Sequence, residues 1–335
     1  MSTHPKFPIA RSELEVLIAK LEVHMVRLAE CLVSPGWRLC FAAMEMPAIH
    51  YNLTGRGQLT VGDTPAIPLA PHTLVIAPAG QPFCIDVATE QGIAVAPKVV
   101  EARWQPQDDS AAVKRLVAGR GDDEDGDDAN VTLICGYFRA SYGTSIDLFA
   151  ALPLPIVERF EPAGDMESRL REALVEINAQ QLGARAMTAT LLKQVLVTLL
   201  RRILVSADSW LEQLSMLSDP QIARAFAAML AQPGAPHSIS ALSQTVGLGR
   251  STFMARFTAA LGCSPMAALR QLRMREAARL LAADNLSVEQ VAYAVGYASR
   301  SSFFRAFRDA YIQDPLAYRS AARRWPNEGS GERGL

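Results

Sequence analysis

No apolar run in this 335-residue chain reaches the roughly 18 residues that a membrane-crossing helix needs. The opening stretch MSTHPKFPIARSELE also lacks the apolar core of a secretion signal, so a cytoplasmic protein without membrane attachment is expected. Cysteine is scarce. The five, Cys31, Cys40, Cys84, Cys135 and Cys263, are odd in number and contain no CxxC pair, which argues against a disulfide framework and a zinc ribbon alike. Lysine is missing altogether between Asp219 and Trp325, where 13 Arg face 6 acidic residues.

That last absence exposes an asymmetry that the formal net charge of -1 conceals. A basic carboxy-terminal region beside an acidic remainder points to a polyanionic partner for one part of the chain only. With 50% hydrophobic residues the chain can bury real cores, and its length predicts about two domains.

Residues 12–30 carry Leu14, Leu17, Ile18, Leu21, Met25 and Leu28 at three-to-four spacing, which predicts an amphipathic helix. From Trp37 to about Asp86 short runs such as WRLCFAA and TLVIAP, broken by Pro and Gly, predict strands. Residues 105–130 concentrate like charge and glycine and predict a mobile surface loop. A strand follows at 131–138, then helices at 166–182 and 187–205. The second of these is apolar around most of its circumference and must be covered on several sides, by a helix pair or a dimer interface.

Beyond residue 219 the text turns helical and repeats itself. Residues 238–265 and 287–315 align as helix, glycine turn, helix: Val246-Gly247 matches Val295-Gly296, Phe253 and Phe257 match Phe303 and Phe307, and Pro265 matches Pro315. A Phe pair at i and i+4 faces inward and leaves the intervening positions outward. These are Arg250, Ser251, Met254 and Ala255 in the first copy, and Arg300, Ser301, Phe304 and Arg305 in the second. A major groove admits such a helix, and arginine can donate two bonds to guanine, which makes these the base-reading candidates and Arg305 the first among them. Arg256, Arg270, Arg273, Arg275 and Arg308 are the phosphate candidates, three of them on the long helix predicted at 266–284 between the copies. Ser287-x-x-Gln290 reads as a capping box opening the second copy. One such pattern is also a common packing unit; two copies joined by an Arg-rich helix point to duplex DNA.

These residues resemble the AraC-type (arabinose-operon-regulator-like) transcription activators. The motifs that carry the likeness are GCSP, RxRxxxAxxLL at 273–281 and VAYAVGY followed by RSSFFRAF. The sequence departs from that pattern at Tyr311-Ile312-Gln313-Asp314-Pro315, at Gly249 where a capping Ser is usual, and at His237. The amino-terminal half is similar to the cupin-type sensor of one branch, through Cys31-Leu32-x-x-Pro35-Gly36-Trp37, the run at 69–78, LICGYF and LFAALP. The resemblance implies an α+β chain: a cupin-like β-barrel with dimerisation helices over 1–212, then an all-α domain over 219–324 with helix-turn-helix units 238–260 and 287–311 joined by a long helix. It implies a homodimer that binds promoter DNA, and RNA polymerase as a partner if the protein activates.

For the sensor, Trp37, Arg38, His50, Tyr51 and His72 are candidates for a small-molecule pocket. His50 and His72 are the only histidines in the strand region, without an HxH pair, so no metal, cofactor or catalytic residue is expected. Some members of the branch respond to oxidants, which makes Cys31 and Cys135 redox candidates, provided a thiolate is accessible there. The alternatives are a cupin metalloenzyme with a DNA-binding appendage and an effector-independent architectural DNA binder.

Overall fold

The computed structural model describes residues 9–324 apart from 90–96, 103–114, 120–129, 144–145, 163, 180, 206–213, 215–217 and 284–285. Among the described residues the chain divides into two compact units, one within 22–140 and 147–214, the other within 9–21, 141–146 and 218–324.

The first unit is built on two sheets. The larger runs β12 (Ile156–Arg159), β6 (Thr73–Ala77), β3 (Ala48–Thr54), β10 (Val131–Tyr142), β1 (Glu22–Val33) and β9 (Leu116–Ala118), with β11 (Ile146–Asp147) on β10. The smaller runs β5 (Ile67–Leu69), β4 (Gly57–Val61), β7 (Phe83–Asp86), β2 (Trp37–Phe41) and β8 (Lys98–Ala102). Both contribute to one apolar core, with Cys31, Val75 and Cys135 from the larger and Leu39, Leu59 and Phe83 from the smaller. Strands β3 and β6 are buried along nearly their whole length because the second face of their sheet is also covered. Helix α2 (Met166–Ala179) packs against α3 (Ala184–Val205), and α3 packs on β1. Leu192, Val195, Leu196 and Leu199 of α3 are fully buried, which accounts for its apolar circumference.

Two expectations fail here for identifiable reasons. The predicted helix over 12–30 stops at Lys20: α1 spans Arg11–Lys20, Leu21 is extended, and residues 22–33 form the twelve-residue β1. β1 pairs in parallel with β9, Cys31 opposite Leu116 and Val33 opposite Ala118, so pairing overrides a helical spacing of leucines. The same β9 lies within the predicted mobile loop, most of which falls outside the described residues.

The second unit is helical: α4 (Pro220–Ala231), α5 (Ile239–Thr245), α6 (Arg250–Leu261), α7 (Pro265–Ala283), α8 (Val288–Ala294), α9 (Arg300–Tyr311) and α10 (Pro315–Arg324). Asp219 caps α4 by accepting the Ile222 N–H, with Pro220 at the first helical position where its missing N–H costs nothing. Helix α1 packs on α4, burying Leu17 and Leu21, and the Arg224 guanidinium pairs with Glu13 at 3.0 Å. Tyr142, at the end of β10, meets Phe226 edge-on at 5.3 Å in the same unit. A domain boundary drawn at 212 assigns α1 to the strand-rich half; in the structure its contacts are with the helical one.

Candidate nucleic-acid interface and sensor residues

Each repeat builds the same corner from the same local chemistry. Ser238 caps α5 through the Ala241 N–H and the helix ends at Val246. Gly247 then takes a left-handed φ of 68°, and the Leu248 N–H closes the turn on the Ser243 carbonyl at 2.9 Å. In the second copy the capping box of Ser287 and Gln290 forms, α8 ends at Val295, Gly296 has φ 82°, and the Tyr297 N–H reaches the Ala292 carbonyl at 2.9 Å. Gly249, as the sequence departure suggests, starts α6 without a side-chain cap, whereas Ser299 caps α9 through the Ser302 N–H.

The Phe pairs point inward. Phe253, Phe257, Phe303 and Phe307 are all fully buried. Arg250, Ser251, Met254 and Ala255 on α6, and Arg300, Ser301 and Arg305 on α9, are exposed, with Phe304 half-buried. Arg250 donates to the Ser240 hydroxyl at 2.8 Å. Arg300 pairs with Glu289 at 3.0 Å and lies 5.0 Å above the Phe304 ring. The Arg305 side chain makes no hydrogen bond or ion pair among the described residues, and Arg308 is exposed one turn from the end of the helix.

The phosphate candidates divide. Arg270 and Arg308 are exposed. Arg256 instead forks onto Asp219 at 2.6 and 2.8 Å and reaches Gln221 at 2.9 Å, which ties α6 to the start of α4. Arg273 donates to three carbonyls, Pro233 at 2.9 Å, Ala235 at 3.0 Å and Gly296 at 3.2 Å. Arg275 reaches the Lys20 carbonyl at 3.3 Å. These three arginines, expected as phosphate contacts, have partners within their own unit, whereas Arg270 and Arg308 are exposed. Helical spacing places Arg256 on α6 and Arg273 and Arg275 on α7 but does not say which are turned inward.

The expected pocket residues do not converge. His50 faces the core between the sheets, fully buried, with its ring 4.3 Å edge-on from Phe83 and, among the described residues, no hydrogen-bond partner for either ring nitrogen. Burial pushes its pKa down to about 3 from 6.5, so the ring is neutral. Tyr51, the next residue, points to the opposite face of the sheet, where its hydroxyl meets His72 Nδ1 at 3.1 Å; His72 lies 3.4 Å from Glu167 on α2. Trp37 sits under Lys98 at 5.2 Å and Arg38 pairs with Asp86, both on the smaller sheet. Cys31 and Cys135 do come together in the core, both buried, and burial holds Cys135 well above the ordinary thiol range, with the neighbouring Cys31 adding to it. Cys135 is directly opposite His50 across β10 and β3.

One expectation is overturned outright. Cys40 and Cys84 form a disulfide, being directly opposed on β2 and β7 with Cα atoms 4.1 Å apart. Only the register of two strands distant in sequence reveals this pairing, and register is not legible from composition. Among the described residues no three His, Cys, Asp or Glu side chains gather as metal ligands, and no helix is long and apolar enough to cross a membrane.

The comparisons with known proteins follow the same division. A helix-turn-helix domain family matches residues 242–321 and a cupin family matches residues 13–205. The transcriptional regulator AlkR of Acinetobacter baylyi is 35% identical over 111 residues, which are 33% of this chain and 35% of that protein. A putative AraC-like transcription regulator of Streptomyces lividans is 32% identical over 211 residues, 60% of this chain and 65% of its own length. A second such regulator, from Streptomyces antibioticus, is 28% identical over 304 residues, 87% of this chain and 93% of its own. The first two matches thus span about a third and just under two thirds of those relatives. With a cupin domain over more than half of its length and the paired helix-turn-helix units behind it, the chain belongs to the AraC-type transcription regulators that carry an amino-terminal cupin domain.

Proposed function

We propose that this protein is a sequence-specific DNA-binding transcription regulator that acts as a homodimer and is controlled by a signal received in its cupin domain. The observation that carries the reading is the outward pair of helix faces, Arg250-Ser251 on α6 and Arg300-Ser301 with Arg305 on α9, each set by an inward Phe pair. Arginine and serine at such positions supply donors for base edges in two major-groove segments, and the exposed Arg270 and Arg308 supply phosphate contacts. Footprinting of the promoter it protects tests this. Each protomer is expected to cover two major-groove segments about one helical turn, roughly 10 base pairs, apart on one face. Protection of a single short segment per protomer overturns it.

Dimerisation is assigned to residues 166–205, supported by Val175, Leu182 and Met187, which remain 64%, 99% and 52% exposed on the α2–α3 hairpin. Sedimentation of the full chain should show a dimer that Val175→Glu with Met187→Glu converts to a monomer. The signal is assigned to the core around His50, Cys31 and Cys135, where an imidazole with no hydrogen-bond partner among the described residues and two thiols share one apolar interior. Both thiols being buried, an oxidative signal reaches them only if this core opens. Operator affinity that no oxidant or small molecule changes overturns the sensing assignment and leaves the DNA reading intact.

A further inference from the structure

The core thiols are shielded, but a second pair of cysteines faces the other way. Along β2 and β7 burial alternates: Leu39, Phe41, Phe83 and Ile85 point into the core, while Cys40 and Cys84 are partly exposed on the outer face of the smaller sheet. They sit in the middle of one rung that runs across four strands, Thr60 on β4 opposite Cys84, Cys84 opposite Cys40, and Cys40 opposite Glu101 on β8. Two residues along the same face, Arg38 and Asp86 form an ion pair, and Val99 beside them is 56% exposed. Nothing in the DNA-binding reading uses this face.

We propose that Cys40 and Cys84 form a solvent-accessible, reversible dithiol–disulfide site, the first pair of thiols on this unit that a peroxide-class oxidant meets. The chemistry closes within the pair. One thiolate attacks the peroxide oxygen, giving a sulfenic acid and releasing the alcohol or water; the opposed thiol then displaces the hydroxyl, forming the S–S bond and water. Two electrons pass from the sulfurs to the peroxide. A small dithiol reverses the step by exchange, for which the outward sulfurs leave a path of approach. Pairing of β2 with β7 sets Cys40 and Cys84 directly opposite each other on neighbouring strands, so the two sulfurs that must join are held on adjacent residues. Cys31 and Cys135, at 0% and 1% exposure, have no such path while the domain is folded.

The test is differential alkylation of the full-length protein, which does not depend on the DNA-binding reading. The protein is reduced with dithiothreitol, freed of it, treated with hydrogen peroxide, labelled with N-ethylmaleimide and mapped by mass spectrometry. Without peroxide, Cys40 and Cys84 are expected to label in the native state, and Cys31 and Cys135 only after denaturation. After peroxide, the Cys40 and Cys84 peptides should appear joined, lose their label and regain it on reduction. In Cys40→Ser, peroxide should leave Cys84 as a sulfenic acid that a dione probe captures. The proposal is overturned if Cys40 and Cys84 still label after peroxide, if dithiothreitol fails to release them in the native protein, or if the Cys31–Cys135 pair oxidises first. Should Cys40→Ser fail to fold, the labelling of the wild-type chain decides alone.

Discussion

The Arg273 guanidinium donates to the Gly296 carbonyl at 3.2 Å while its other nitrogens hold the carbonyls of Pro233 and Ala235, so one side chain on the connecting helix joins the entrance of the first helix-turn-helix to the turn of the second. The fit is close: a Cβ on Gly234 would lie 2.0 Å from the Ala294 carbonyl oxygen, and one on Gly296 2.7 Å from the Gly234 carbonyl oxygen. A planar fork with several donors is the group that can serve three carbonyls at once; an ammonium cannot match it.

Arg273→Lys is therefore expected to destabilise the helical unit by about 1–3 kcal/mol although charge is retained, because carbonyls lose their partners in a half-buried place. Arg270→Lys, on the same helix but exposed, should be neutral. Denaturant unfolding of the two variants checks this, and equal midpoints would remove the clamp from the account.

Reading and anchoring should separate in the same way. Arg305→Ala is expected to cost about 1–3 kcal/mol on the cognate site and to relax preference at one position, whereas Arg270→Ala should weaken cognate and random duplexes alike and reduce the salt slope. Titrations of both duplexes at two salt concentrations decide it. Parallel losses for the two variants would mean that Arg305 binds phosphate.

Helix α9 ends on a residue unsuited to its backbone. Ile312 has φ 60° and is 92% exposed, whereas Gly262 holds the equivalent place after α6 with φ 71°. A β-branched side chain in the left-handed region costs about 1 kcal/mol or more, and this one gains little packing in return. Ile312→Gly should raise the stability of the helical unit by about 1 kcal/mol, read as a shift in the denaturant midpoint; unchanged or lower stability would show that the isoleucine contributes packing the backbone strain does not reveal.

What the sequence made legible was whatever repeats or is decided locally. The two Val-Gly corners, the inward Phe pairs and the Ser287–Gln290 box each follow from neighbours a few residues apart, and all are present. What it hid depends on partners far along the chain. β1 reads as helix until β9 and β10 lie beside it, and Cys40 meets Cys84 only through the register of β2 and β7. Arg273 looks like its exposed neighbour Arg270 until loops 38 and 40 residues before it fold back onto it. His50 and Tyr51, adjacent in sequence and grouped as one pocket, are separated by the pleat onto opposite faces of their sheet.

That placement of His50 sets a pH dependence with a definite sign. Its folded pKa is lowered to about 3 by burial from 6.5, so the folded protein binds its proton more weakly than the unfolded chain does. The stability contributed by the neutral ring is thus fully present above about pH 6.5 and is lost as pH falls, at up to about 1.4 kcal/mol per pH unit, until the folded pKa is reached. His50→Leu removes the titrating group while roughly filling its space. Among the described residues neither ring nitrogen has a hydrogen-bond partner to lose, so the variant should be at least as stable as wild type at pH 8. It should then hold that stability further into acid, the gap widening from pH 6 to pH 4 while the carboxylates common to both proteins cancel in the difference. Urea unfolding of the two proteins at pH 8, 6, 5 and 4 measures it. Parallel curves across that range would show that His50 finds a proton partner in solution and is not held neutral in the core.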